Sequence, residues 1–399
     1  MRSTLLPLAA TLAIQALVAM ATITVPVLAP AASRELNVSA GLVGLFVSLI
    51  YLGSMISSAA SADVIRRIGA IRFSQYCLIT CAIGLALLTL GSTPALIVSA
   101  LVLGLGYGPI TPASSHILAK TTPPHMMSFV FSVKQTGVPL GGALAGIVVP
   151  PLVLLGGWRA GALAVAGLCV LTALIAQPIR AENDADRDPT RPISARGPFR
   201  ALALVATDAA VRRLAICSFF FSALQLCLTT YLVIYLTNQL GYTLVQAGLM
   251  LSVATAAGIV GRIAWGAIAD RSGRPAAVLG VVGCAMAAAA GTMALSSPEW
   301  SRALMIVLCA VFGGTAIGWN GVYLAEVARE APKGKTVEAT GGALFFTFFG
   351  VLIAPPIFAA IVEGGGGYGM AFAAVAAPTL VCGLWLLLRS PAAVHRVSS

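Results

Sequence analysis

A chain of 399 residues with 59% hydrophobic and 9% charged residues cannot cover a water-facing surface, since a soluble domain carries roughly 25% charged residues. This excludes an ordinary soluble protein and makes lipid the solvent for most of the exterior. The formal net charge of +11 does not indicate nucleic acid: Lys and Arg fall in short loops between apolar runs, not in a patch with interleaved aromatics.

A membrane helix needs about 20 mainly apolar residues. Twelve segments qualify: 6–29, 41–62, 73–91, 95–118, 127–151, 160–178, 214–237, 243–268, 275–295, 302–327, 338–362 and 369–389. The first is longer than the apolar core of a cleaved signal peptide and is expected to be retained as a helix. The eight cysteines lie inside apolar segments with no C-x-x-C pair, so they read as small buried hydrophobes.

All connections are short except residues 179–213. That stretch holds five acids, seven Arg and three Pro, and is expected to stay solvated and flexible. It separates an N-terminal six-helix bundle (1–178) from a C-terminal one (214–399) with a short tail. With the N-terminus inside, nineteen Lys and Arg fall on the cytoplasmic side, among them Arg2, Arg389 and Arg396, against Arg34, Arg159 and Arg302 outside. Both termini and the linker are therefore expected to be cytoplasmic, in a bacterial inner membrane.

The halves repeat one another. The fifth segment carries Pro150-Pro151 and is followed by Gly156-Gly157-Trp158. The eleventh carries Pro355-Pro356 and is followed by Gly366-Gly367-Tyr368. Two parallel six-helix repeats are a transporter plan with the substrate between the halves near the midplane. The fold class expected is thus an all-α membrane protein of twelve helices in two parallel repeats.

Between the eighth and ninth segments, residues 266–275 read GAIADRSGRP. This resembles the G-x-x-x-D-R-x-G-R signature of the major facilitator superfamily, and the resemblance extends over essentially the whole chain. It implies a secondary active transporter working by alternating access. It also implies a gating role for Gly266, Asp270, Arg271, Gly273 and Arg274, whose charge contacts would hold one conformation. The first-half counterpart, Asp63 with Arg66, Arg67 and Gly69, departs from the pattern because its acid comes a turn early. Gly137, Pro139, Gly141 and Gly142 resemble the family's exchanger element, and read equally well as a packing seam. Where proton-coupled members often carry an Arg in the fourth segment, this chain has Ala100.

Two cations lie deep in apolar segments. Lys134 and Arg262 each sit about 12 Å from the cytoplasmic end at 1.5 Å per residue, near the middle of a roughly 30 Å core. Each shares a helix face with small residues, so each points at protein. Intramembrane cations are costly and mark function, and these two suit an anionic substrate, expected to be a small carboxylate. Tyr107, Gln225, Asn320 and Tyr323 are expected to add neutral hydrogen bonds. Thr111 and Thr229 are further polar positions, and Gln15 stands isolated in the first segment. For Arg262 the alternative is bracing Asp270 or a neighbouring carbonyl; for Lys134 it is snorkelling to the inner surface.

Gly334-Lys335-Thr336 lacks the earlier glycine and strand of a phosphate loop, so ATP use is not expected. His116, His125 and His395 form no metal motif, and no metal or cofactor is expected. The partners expected are a small anionic solute and the bilayer, with the chain acting as a monomer. The rival reading is an exporter of drug-like or apolar compounds on the same fold. A membrane sensor and a multi-pass membrane enzyme are more distant alternatives.

Overall fold

The computed structural model describes residues 2–36, 42–194 and 196–388. Arg389 and Arg396, assigned above to the cytoplasmic side, lie outside the described residues. Among the described residues, every long element is helical: α1 (Arg2–Leu36), α2 (Leu42–Ile68), α3 (Ala70–Leu88), α4 (Thr93–Tyr107), α5 (Ile110–Thr121), α6 (Met127–Gln135), α7 (Gly137–Ile175), α8 (Arg180–Asn183), α9 (Gly197–Thr207), α10 (Ala209–Asn238), α11 (Leu244–Ser272), α12 (Pro275–Ala294), α13 (Arg302–Ala316), α14 (Asn320–Glu330), α15 (Thr336–Ile361) and α16 (Gly367–Leu388).

Among the described residues, ten helical segments are long and apolar enough to cross a membrane. Two of them, Pro124–Ile175 and Thr336–Leu388, run to 52 and 53 residues, more than twice what one pass needs. The first is turned at Gly157 (φ 79°), inside α7. The second is turned at Gly365 (φ 91°) and Gly367 (φ 65°). Only glycine enters this region without steric cost, so the repeated Gly-Gly elements are the corners between successive passes. Counted as two passes each, these segments bring the ten to twelve.

Two expected helices are broken in mid-course. The fourth stops at Tyr107 and resumes at Ile110, because Pro109 has no N–H to give and its ring crowds the preceding turn. The tenth stops at Ala316 and resumes at Asn320, leaving the Ile317 carbonyl free of the α-helical ladder.

The chain forms two compact units. The first comprises Met1–Thr122, Lys134–Arg212 and Val327–Phe349; the second comprises Pro123–Val133, Arg213–Glu326 and Gly350–Ser399. Each takes one segment from the opposite half of the sequence. In the first unit α1 lies along α7, α2 packs on α4, and α3 packs on α4 and α7. In the second, α11 packs on α13, and α12 packs on α13 and α16. The same pairing order therefore recurs. Seven of the eight cysteines are buried. Large apolar side chains such as Ile147, Leu154, Leu174 and Val260 are exposed, which is tolerable only against lipid.

The seams are close because they are built on glycine. A Cβ on Gly104 of α4 would lie 2.2 Å from the Ile50 carbonyl oxygen of α2, and one on Gly313 of α13 would lie 2.0 Å from that of Ala254 in α11. Gly104→Ala and Gly313→Ala should each lower the melting temperature of the detergent-purified protein, at an overpacking cost of about 1–3 kcal/mol. Gly248→Ala, where a Cβ meets nothing within 4 Å, should leave it unchanged or raise it.

Candidate functional site

The fifth pass begins with α6, whose last turn carries Lys134. Its side chain is only 1% exposed. Nζ donates to Gln15 Oε1 at 2.8 Å, to Gln135 Oε1 at 3.0 Å and to Thr111 Oγ1 at 3.4 Å. Thr111 in turn donates to Gln15 Oε1 at 3.3 Å. Three helices, α1, α5 and α6, thus bring neutral oxygens around one ammonium. Gln15 is not isolated: it is the hub that accepts from both Lys134 and Thr111. Tyr107 falls just before the α4 break, its ring 6.1 Å from that of Phe348. All of these belong to the first unit.

The second unit holds the other candidates. Arg262 of α11 is 3% exposed, and its Nε donates to the Ile317 carbonyl at 2.9 Å. The same break leaves the Gly314 carbonyl to Trp265 Nε1 at 2.9 Å. Arg262 therefore braces a carbonyl released where α13 ends, the structural role that sequence left open beside substrate binding. Gln225 Oε1 accepts from Trp319 Nε1 at 3.0 Å and Asn320 Nδ2 at 3.1 Å. Tyr323 lies beside Trp319, with ring centroids 5.1 Å apart.

The signature loop acts on backbone. Asp270 Oδ1 and Oδ2 accept from the N–H groups of Ser128 and Phe129 at 3.0 and 2.7 Å. These are among the orphan donors at the start of α6, so Asp270 caps that helix from another element and meets its positive dipole end. Gly266 makes room: a Cβ there would lie 2.5 Å from Ser132 Oγ and 2.8 Å from the Ser128 carbonyl. Gly273, at φ 63°, ends α11 in the left-handed turn. Arg271 and Arg274 are exposed.

Residues 179–213 are not the solvated, flexible linker expected from their composition. Ala201 and Val205 of α9 are buried, and α9 packs on α2. Asp63, 3% exposed, pairs with Arg200 and, at 3.4 Å, with Arg191 Nε. It also accepts from the Ser194 N–H at 3.3 Å. Asp184 caps α3, accepting from the N–H groups of Ile71 at 2.8 Å and Arg72 at 3.0 Å. Burial pushes its carboxyl above the ordinary range, and those two N–H groups oppose the shift. Asp186 pairs with His116 at 2.8 Å and Lys120 at 3.1 Å. Partial burial would raise its pKa, yet these two partners hold it below the usual carboxylate value. A charge-rich composition predicts disorder when charges face only water; here three carboxylates each meet a built partner.

The Major Facilitator Superfamily family model matches residues 11–355 of this chain. An uncharacterized MFS-type transporter of Mycobacterium tuberculosis (strain CDC 1551 / Oshkosh) is 24% identical over 260 residues, covering 65% of this chain and 57% of the relative. Its counterpart in strain ATCC 25618 / H37Rv is 25% identical over 209 residues, covering 52% and 45%. The chain spans about half the length of these curated relatives. Among solved structures, a variant of the E. coli fucose:proton symporter aligns with a TM-score of 0.77 at 16% identity, over 98% of this chain and 100% of that one. The human organic anion transporter MFSD10 aligns with a TM-score of 0.74 at 18% identity, over 96% and 99%. A proton:xylose symporter aligns with a TM-score of 0.71 at 16% identity, over 96% and 95%. At these identities the likeness shows the fold.

Proposed function

This chain belongs to the Major Facilitator Superfamily, and we propose that it moves a small organic anion, a carboxylate, across the membrane by alternating access. In this reading the two six-helix halves, 1–178 and 214–399, rock about the solute, and the Arg-rich end faces the cytoplasm. Solute or ion gradients drive the cycle rather than ATP. The observation that carries the substrate class is the Lys134 cluster. Amide and hydroxyl oxygens, which are neutral dipoles, are among the partners of a buried ammonium there. A carboxylate offers the same ammonium a charge-assisted bond, roughly twice as strong as a neutral one. The carboxylate would displace Gln15 or Gln135, whose amides remain close enough to turn an N–H towards it.

Arg262 serves as the second cation of the proposal, its Nε remaining on the Ile317 carbonyl. Tyr107, Gln225, Asn320 and Tyr323 supply neutral hydrogen bonds. Gly266, Asp270, Arg271, Gly273 and Arg274 form the gate, whose lock is the Asp270 cap on α6. The neighbour named an organic anion transporter adds an example of such a cargo on this fold and nothing more specific; the two proton symporters carry sugars.

The test is uptake into vesicles reconstituted with the purified protein, screening mono- and dicarboxylates against neutral sugars and lipophilic cations. Saturable carboxylate uptake, competed by other carboxylates, is the expected result. Movement of lipophilic cations alone would replace this reading with drug export, and movement of no solute would favour a sensor.

A further inference from the structure

Where α8 follows the sixth pass, four arginines converge at one surface pocket outside the transport machinery. Its volume is about 390 Å3, and its lining includes Arg67, Arg72, Arg180, Arg187 and Tyr76. Arg67 ends α2, Arg72 and Tyr76 open α3, and Arg180 and Arg187 come from the linker. Four like charges gathered without purpose would repel one another. The nearby acids are already engaged. Asp184 caps α3 and lies 3.7 Å from Arg180 Nε; Asp188 accepts from the Thr190 N–H and hydroxyl. Among the described residues, Arg72 Nη1 reaches the neutral oxygens of Gln75 and Gln177, at 3.3 and 3.4 Å. Arg67 and Arg187 are exposed.

The pocket opens onto a lipid-facing stripe. Arg72, Tyr76, Ile79 and Ile83 follow one face of α3, and the last three are 45%, 40% and 51% exposed. The Arg72 guanidinium lies 5.3 Å from the centre of the Tyr76 ring, a cation–π arrangement that fixes Tyr76 between the charged pocket and the apolar stripe. Tyrosine favours that boundary in membrane proteins.

We propose that this pocket binds the phosphate group of an anionic phospholipid, whose acyl chains run along Tyr76, Ile79 and Ile83. The shared chemistry is a phosphate ester anion held by guanidinium forks. The apolar stripe below the pocket is what selects a lipid over a free phosphate. Such a lipid ties the linker to α3, since Arg180 and Arg187 on one side and Arg67 and Arg72 on the other hold the same headgroup.

The test uses the full chain in detergent, with phosphatidylglycerol, phosphatidylcholine, inorganic phosphate and glycerol phosphate as probes. Retention is read by native mass spectrometry and stabilisation by thermal melting. Phosphatidylglycerol should be retained and should raise the melting temperature, and the other three should not. The double variant Arg67→Gln, Arg187→Gln should lower phosphatidylglycerol retention about tenfold or more. Its unliganded melting temperature should match wild type, because among the described residues these exposed side chains make no ion pair or hydrogen bond to another element. Arg302→Gln, an exposed charge elsewhere, should leave retention unchanged. Equal retention by the double variant and wild type would overturn the site. So would equal loss in Arg302→Gln, or full stabilisation by a water-soluble phosphate, which would assign the pocket to a free anion.

Discussion

Replacing Asp270 by asparagine is expected to slow transport about tenfold or more while the substrate affinity moves far less. The carboxylate holds two backbone N–H groups at 3.0 and 2.7 Å. Hydrogen bonds to a charged group contribute about 1.5–3 kcal/mol each. Asp270 is partly exposed, so the lower end of that range applies to the pair after solvent screening. Asparagine keeps the shape but presents one acceptor oxygen and no charge, and it loses the attraction to the start of α6. A loss of about 1.5–3 kcal/mol shifts a two-state equilibrium roughly ten- to hundredfold. The proposed substrate contacts are untouched, so in this reading the effect falls on the population of the locked state and on the rate of cycling. Initial rates of counterflow in vesicles, set beside equilibrium binding in detergent, separate the two. An unchanged rate, or an affinity loss as large as the rate loss, would remove Asp270 from the gate.

The second large effect concerns Lys134. Lys134→Gln should weaken carboxylate binding about a hundredfold and abolish uptake at ordinary concentrations, because truncating one partner of a buried charge pair costs roughly 2–5 kcal/mol. Equilibrium carboxylate binding in detergent, measured beside uptake in vesicles, is the readout that checks it. Full carboxylate uptake by the variant would end the anion reading.

The fold was legible in the sequence because the bilayer imposes it: long apolar runs, a charge asymmetry and paired Gly-Gly corners each have one physical meaning. Helix breaks were less visible. Pro109 announces one, but nothing in Ile317-Gly318-Trp319 announces the other, and the role of Arg262 depends on that break. Lys134 stood out as a charge in an apolar run, whereas its partners did not. In helices apolar on nearly every side, spacing does not say which faces meet, so Gln15 looked isolated when it is central. The grip of Asp270 on the Ser128 and Phe129 N–H groups was out of reach for a different reason: main-chain N–H groups leave no mark in the residue types. Composition misled at the linker, because it counts charges and cannot see that Asp63, Asp184 and Asp186 each have a fitted counterpart.

The helix α6 joins the two residues on which most of the function proposed here depends. It is nine residues long, MSFVFSVKQ, without glycine or proline, and at 1.5 Å per residue it spans about 13 Å. Asp270 grips its first turn and Lys134 rides on its last. A nine-residue helix without glycine or proline contains no built-in hinge, and Gly137 and Pro139 follow directly beyond it. Linkage then makes the coupling run in both directions. Whatever factor the grip of Asp270 imposes on cargo affinity at Lys134, the cargo must impose on that grip. On the proposed function, the solute would thereby take part in its own gating, loosening or tightening a clamp that it never touches.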